Sequence, residues 1–222
     1  MKLYKYRSIS GASFRYTQDI FINKRLFVPK ASVLNDPNEG IAIIDVQNEY
    51  QIMANTYFQY DRQNSIGLCA FSETHRNPVM WSHYSDQHHG ICIEFETDYF
   101  DLSDGLLKKV NYSNHVSTFP HNGSVDNREA FLNKTVEWAY EKEWRYISNI
   151  PDSALYFTEL SIERVLLGAR FDKSDLSWIK FWLEHYNPKK NVPIVKMQLV
   201  LGEYELYEEG ETKGKYLRSS QW

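Results

Sequence analysis

Cysteine is nearly missing: the 222-residue chain has two, Cys69 and Cys92, each inside an apolar run. A disulfide framework needs more cysteines at turn positions, so both read as small buried hydrophobes. Glycine and proline are sparse, at ten and seven, and the chain shows no low-complexity tract, internal repeat or linker. No apolar stretch approaches the length of a membrane span, and the opening MKLYKYRSIS lacks the apolar core of a secretory signal. A cytoplasmic protein with no membrane partner is therefore expected. Positive charge is not in excess: the formal net charge of -4 gives no basic field for a nucleic-acid backbone. Phosphate-loop and dinucleotide glycine patterns are missing, and so is the G-x-S-x-G turn of serine hydrolases.

What remains is an apolar fraction of 42% and an aromatic fraction of 15%, enough for a sizeable core. Strand-like and helix-like segments are interspersed along the chain. The expectation is one α+β domain over residues 1–222, with a curved mixed or antiparallel sheet flanked by helices. Lys2–Ser8 alternates as a first strand with Arg7 turned away from Tyr4 and Tyr6. Helical spacing marks Phe14–Phe21, Val46–Asp61 and Ser174–Tyr186. Asp126 is placed to cap a helix across Phe131, Leu132, Val136 and Trp138. Ile194–Tyr207 reads as a final strand bent at Gly202.

The densest chemistry lies in Ile66–Glu96. Two short apolar strands, Ile66–Ser72 and Gly90–Phe95, bracket Ser72, Glu73, His75, Trp81, Ser82, His83, Tyr84, Asp86, His88 and His89. Asn77-Pro78 predicts a helix start, with Asn as the cap and Pro at the first helical position, and the helix should run to about Gln87. Earlier, Asn35-Asp36-Pro37-Asn38 is strong turn chemistry, and Glu39 after it can cap a neighbouring site.

Seven histidines raise the question of a metal. His83 and His88, five apart, fall on different faces of a continuous helix, and His83 with Asp86 supplies only two ligands. No metal ligand set is assigned. Glu141 and Glu143 form a different pair: at alternate positions of a strand they lie about 7 Å apart, close enough to push one carboxyl upward. Such pairs suit glycosidic chemistry, in which a carboxylate stabilises an oxocarbenium-like centre. Arg145 on the same face offers a plainer account, a neutralised and solvated strand. Both accounts stay open here.

Several blocks occur in a set order: LYKYRS at Leu3–Ser8, VLNDPNE at Val33–Glu39, FSE at Phe71–Glu73, NPVMWSHYSDQHHG at Asn77–Gly90 and YEKEWR at Tyr140–Arg145. Together they resemble the bacterial family catalogued as domain of unknown function 2971, from Leu3 to about Gly168. One position departs, since Asn38 stands where the family's turn usually carries an aromatic residue. The resemblance implies site residues rather than an activity. More distantly, Arg7, Ser72 and Glu141-Lys142-Glu143 are similar in order to the motifs of ADP-ribosyltransferases. That likeness implies Arg7 on the NAD diphosphate, Ser72 bracing the site, Glu143 on the nicotinamide ribose and Glu141 orienting the acceptor.

The expected catalytic residues are thus Glu143, His83 and Glu141. The expected ligand contacts are Arg7, Asp36, Ser72, Trp81, Tyr84 and Arg145. The function expected first is an enzyme acting on a nucleotide-type ligand, with NAD as substrate rather than resident cofactor, in a toxin or phage-defence setting. A non-enzymatic binding or assembly module and a metal-dependent hydrolase are the alternatives.

Overall fold

The computed structural model describes residues 1–44, 60, 63–100, 102–103, 105–119, 126–149, 155–157, 160–215 and 217. The helix expected over Val46–Asp61 lies almost wholly outside the described residues, as does His121. The fold is α+β, with an open mixed sheet and a few flanking helices. The sheet strands are β1 (Lys2–Arg7), β2 (Ile66–Ser72), β3 (Ile91–Glu96), β4 (Gly105–Lys109), β5 (Glu143–Asn149), β6 (Ile162–Leu167), β7 (Ile194–Leu199) and β8 (Leu206–Glu208). β8, β7, β6, β3 and β1 are neighbours in that order, as are β2, β5 and β4. Among the described residues no helix is long and apolar enough to cross a membrane.

By compactness the chain divides into two units. The first comprises Met1–Leu26, Phe71–Asp101 and Phe157–Trp222. At its centre β3 pairs antiparallel with β1 and with β6, and β6 pairs parallel with β7. Its residues Ile91, Cys92, Ile93, Glu94 and Phe95 are all buried, as a central strand covered on both faces requires. Helices α1 (Ser13–Ile22) and α3 (Leu176–Tyr186) pack together through Phe21 stacked on Trp182, with Phe14 edge-on to the same indole. The expected final strand is two strands, β7 and β8, joined by a turn with Gly202 at φ 87°. A left-handed residue reverses the chain rather than bending it.

Helix α2 (Pro78–Tyr84) begins as the sequence predicts: the Asn77 side chain accepts from the backbone N–H of Val79 and Met80. It stops earlier than expected. Asp86, Gln87 and His88 have φ of 47°, 50° and 75°, a left-handed turn that no right-handed helix can include. Each such residue costs about 1–2 kcal/mol in isolation, so neighbouring groups must hold the turn. The Ser85 hydroxyl bonds the carbonyl oxygen of Ile91, and His88 N–H bonds that of Trp81.

The second unit comprises Phe27–Ala70 and Leu102–Tyr156. Here β4 and β5 are antiparallel, with Trp144 opposite Lys109 and Ser148 opposite Gly105. A core of Ala31, Ala42, Ile66, Leu68, Ala130, Phe131 and Ile147 fills it. Gly40 is obligatory, since its φ is 70° and a Cβ there would sit 2.3 Å from the Phe131 ring. The helix expected across Phe131 to Trp138 is instead two 3-10 turns, Asn127–Leu132 and Val136–Glu141, separated by the short strand Asn133–Lys134. Asp126 does act as a cap, accepting from Arg128 N–H.

Candidate functional site

The second unit gathers five charged side chains in its interior. The strand Asn133–Lys134 pairs parallel with Asn111–Tyr112, which sets Lys134 and Tyr112 near the start of β5. Lys142 is left-handed at φ 45°. This reversal closes the second 3-10 turn, so Glu141 is not on a strand, yet both Glu141 and Glu143 reach Lys134. The Lys134 ammonium donates to Glu141 Oε2 at 2.7 Å and Glu143 Oε2 at 3.2 Å, and lies 3.8 Å from Glu39 Oε1. It also sits 4.6 Å from the centre of the Trp138 ring, a cation–π contact. Glu143 N–H donates to the Tyr112 hydroxyl oxygen at 2.8 Å.

Arg145 completes the cluster. Nε donates to Glu143 Oε1 at 2.7 Å and Nη2 to Glu143 Oε2 at 3.0 Å. Nη1 donates to Glu39 Oε2 and to the Phe131 carbonyl oxygen, both at 2.6 Å, and Nη2 also reaches Glu39 Oε1 at 2.7 Å. The five N–H bonds of a guanidinium are thereby all used. Arg145 is 0% exposed and the side chains of Glu39, Glu141, Glu143 and Lys134 are 3–5% exposed. Charges so buried persist only when paired and hydrogen-bonded.

Burial pushes the Glu143 carboxyl up, but the Arg145 and Lys134 charges outweigh it and hold the group below the usual carboxylate range. For Glu39 burial wins over Arg145, and the carboxyl is raised. Burial works against the Lys134 ammonium, and Glu143 and Glu141 more than compensate, so it too is raised. Among these five side chains three carboxylates face two cations.

Of the expected site residues, Glu141, Glu143 and Arg145 are therefore brought together. Asp36 belongs to the same unit and serves the turn: its carboxylate accepts from Asn38 N–H at 2.9 Å and its carbonyl from Glu39 N–H at 3.1 Å. It thus delivers Glu39, the carboxylate that the sequence placed after a turn as able to cap a neighbouring site. Lys134 carried no signal at all, being one lysine in an amphipathic stretch.

Arg7, Ser72, Trp81, His83 and Tyr84 belong to the first unit. Arg7 Nε donates to Thr17 Oγ1 at 3.3 Å. Trp81 is fully buried, its indole N–H donating to the His75 carbonyl oxygen at 2.7 Å. His83 is exposed and edge-on to Tyr84, 6.0 Å between ring centres. Ser72 is buried and opposite Tyr4, Tyr4 is opposite Glu94, and Glu94 is opposite Arg164. Residues directly opposite share a sheet face, so these four make one polar row, which the sequence did not disclose. Arg164 donates to Glu94 Oε2 at 2.8 and 2.6 Å and to Glu208 Oε2 at 2.8 Å, and Lys2 Nζ lies 2.8 Å from Glu94 Oε1. Among the described residues no three His, Cys, Asp or Glu side chains are grouped as a metal ion would need.

Residues 80–146 match the model of a family of proteins of unknown function, DUF2971. The chain is similar to that family from within α2 to the first part of β5. The matched stretch contains Trp81, His83, Tyr84, Lys134, Glu141, Glu143 and Arg145, and leaves out Arg7, Asp36, Glu39 and Ser72. Searches of curated proteins and of solved structures give no match. The family resemblance thus has support over this stretch, and the ADP-ribosyltransferase likeness has none from these comparisons.

Proposed function

We propose that the protein is an enzyme acting on a nucleotide-type ligand, with NAD the first candidate, at the acidic centre of Glu39, Glu141 and Glu143. One observation supports this reading: the buried carboxylates of Glu39, Glu141 and Glu143 converge on Lys134 and Arg145. A carboxylate fixed out of water suits a reaction that develops positive charge. In NAD cleavage the bond from ribose C1′ to the nicotinamide nitrogen breaks and its electron pair leaves with nicotinamide. C1′ becomes oxocarbenium-like, and Glu143, held ionised, is the stabilising anion. Glu141 orients a hydroxyl acceptor, which attacks C1′ and passes its proton to the Glu141 carboxylate. Such a reaction would fit a toxin or a phage-defence effector.

The test is nicotinamide release and the thermal shift on adding NAD, for the native protein and for Glu141→Gln and Glu143→Gln. A rise in melting temperature with NAD, and turnover lost in either folded variant, supports the reading. No shift with NAD and no nicotinamide release overturns it.

A second reading, a non-enzymatic binding or assembly module, is favoured by the saturation of Arg145 by partners of its own unit. It expects Glu143→Gln to lower stability and no nucleotide to bind. A metal-dependent hydrolase would need ligands gathered around His83 and Asp86, and elemental analysis of the purified protein tests for it.

A further inference from the structure

Helix α3 turns one side to its own unit and the other to solvent. Ile179, Trp182, Leu183 and Tyr186 are buried, and Trp182 carries the aromatic packing against α1. The outer side is aromatic as well: Trp178 and Phe181 are 48% and 44% exposed. They stand one turn apart and continue into His185, whose ring centre lies 4.2 Å from that of Phe181. His185 Nδ1 donates to the Phe181 carbonyl oxygen at 2.8 Å, which holds the imidazole against the phenyl ring. Beyond Trp178 the stripe meets Phe14 of α1, edge-on at 5.8 Å. A single exposed apolar side chain is ordinary, but a contiguous exposed stripe marks a surface that another molecule covers.

The charges beside the stripe indicate which molecule. A turn of about 100° per residue puts Phe181 in the middle of the outer side. Trp178 and His185 then lie on one flank, and Lys180 and Glu184 on the other. Lys180 and Glu184 are exposed, and among the described residues neither has an ion-pair partner. Lys four residues before Glu is also the less favourable order for a pair within one helix. An antiparallel copy of α3, related by a two-fold axis, sets each flank against the same flank of its counterpart. Lys180 then faces Glu184 of the partner subunit about an axis at position 182. Trp178 faces His185 of the partner subunit about an axis midway between positions 181 and 182. At a rise of about 1.5 Å per residue these axes differ by less than about 1 Å. One axis therefore serves both pairs, and Phe181 lies beside it. An aromatic centre with a charged rim is the usual make-up of a protein interface.

We propose that the outer side of α3 is a self-association surface on which a second copy of this chain docks antiparallel. Phe181 packs on its counterpart, and the Trp178–His185 and Lys180–Glu184 contacts are each made twice. The pattern is complementary to itself, which selects a second copy over an unrelated protein. One helix of 11 residues, about 16 Å long, offers less than the roughly 800 Å² per partner of a standard interface. The dimer is therefore a weak one. The inference uses the first unit alone and is independent of the reading of the acidic centre.

The experiment is sedimentation equilibrium of the full-length protein from about 1 to 200 μM, with a dissociation constant of about 1–100 μM expected. Phe181→Glu is expected to be monomeric throughout, with thermal unfolding like that of the native protein. Lys180→Glu and Glu184→Lys are each expected to self-associate about tenfold more weakly or worse, because like charges then meet twice. An equimolar mixture of these two variants restores opposite charges across the axis. It is expected to dimerise within about threefold of the native protein. A native protein that stays monomeric means that a different molecule covers the stripe, and this overturns the proposal. A dimer indifferent to Phe181→Glu, or a mixture no tighter than its separate components, overturns it too.

Discussion

Glu39 and Arg145 meet in a two-pronged ion pair, with contacts of 2.6 and 2.7 Å, across 106 residues of chain. Each end is positioned by a local device: the Asp36 turn for Glu39, and the first residues of β5 for Arg145. The pair draws the acidic centre into the interior of its unit rather than leaving it on a solvated strand.

Arg145→Met removes five hydrogen bonds at once and leaves three buried carboxylates facing Lys134. The expected loss is about 3–5 kcal/mol, the range for breaking one side of a buried ion pair. Arg145→Lys is expected to recover little, because an ammonium cannot span two carboxylates as the guanidinium fork does. Urea unfolding followed by tryptophan fluorescence reads both. A loss below about 1 kcal/mol for Arg145→Met would show that the cluster is not a stabilising unit.

Acid and alkali act on this centre through different residues. Glu143 is depressed in the folded state, so its contribution is present above the unfolded carboxyl value and is lost as pH falls through the folded one. Lys134 is raised, so its contribution is present below the unfolded amine value and is lost as pH rises through the folded one. Glu39, raised in the fold, works against Glu143, since the folded state there takes its proton first. Glu39→Gln should therefore steepen the acid limb of the stability profile, and Lys134→Met should flatten the alkaline limb. Melting temperature measured across pH gives both limbs.

The left-handed turn offers a pair of substitutions with opposite signs. Gln87→Gly places a residue free of the Cβ clash at φ 50° and is expected to stabilise by about 1 kcal/mol. Gly168→Ala puts a methyl 2.0 Å from the His88 carbonyl oxygen, a backbone atom that cannot swing aside, and is expected to cost about 1–3 kcal/mol or more. Thermal unfolding of the two variants checks the signs. Two effects of the same sign would mean that the turn is not held as described.

Local chemistry was legible in the sequence. The cap at Asn77-Pro78, the buried cysteines, the strands at Lys2–Arg7 and Ile91–Glu96 and the aromatic side of α1 all follow from rules acting within a few residues. The errors came where the deciding partner lay elsewhere. α2 ends at Tyr84 because the chain around Asp86–His88 bonds to other segments. Glu141 leaves the strand because Lys142 turns left-handed. Lys134 was invisible because nothing in its neighbours announces two carboxylates from beyond the next turn.

By itself the sequence determined an α+β fold, the residue types of an acidic centre and the block that resembles a family of unknown function. Only the tertiary structure decided that Glu141 and Glu143 are buried and tied to Lys134 and Arg145, and that Glu39 joins them. It also decided that Ser72, Tyr4, Glu94 and Arg164 share one row. Periodicity and capping depend on neighbours along the chain, whereas the state of a charge depends on what is packed against it, and those partners come from distant segments.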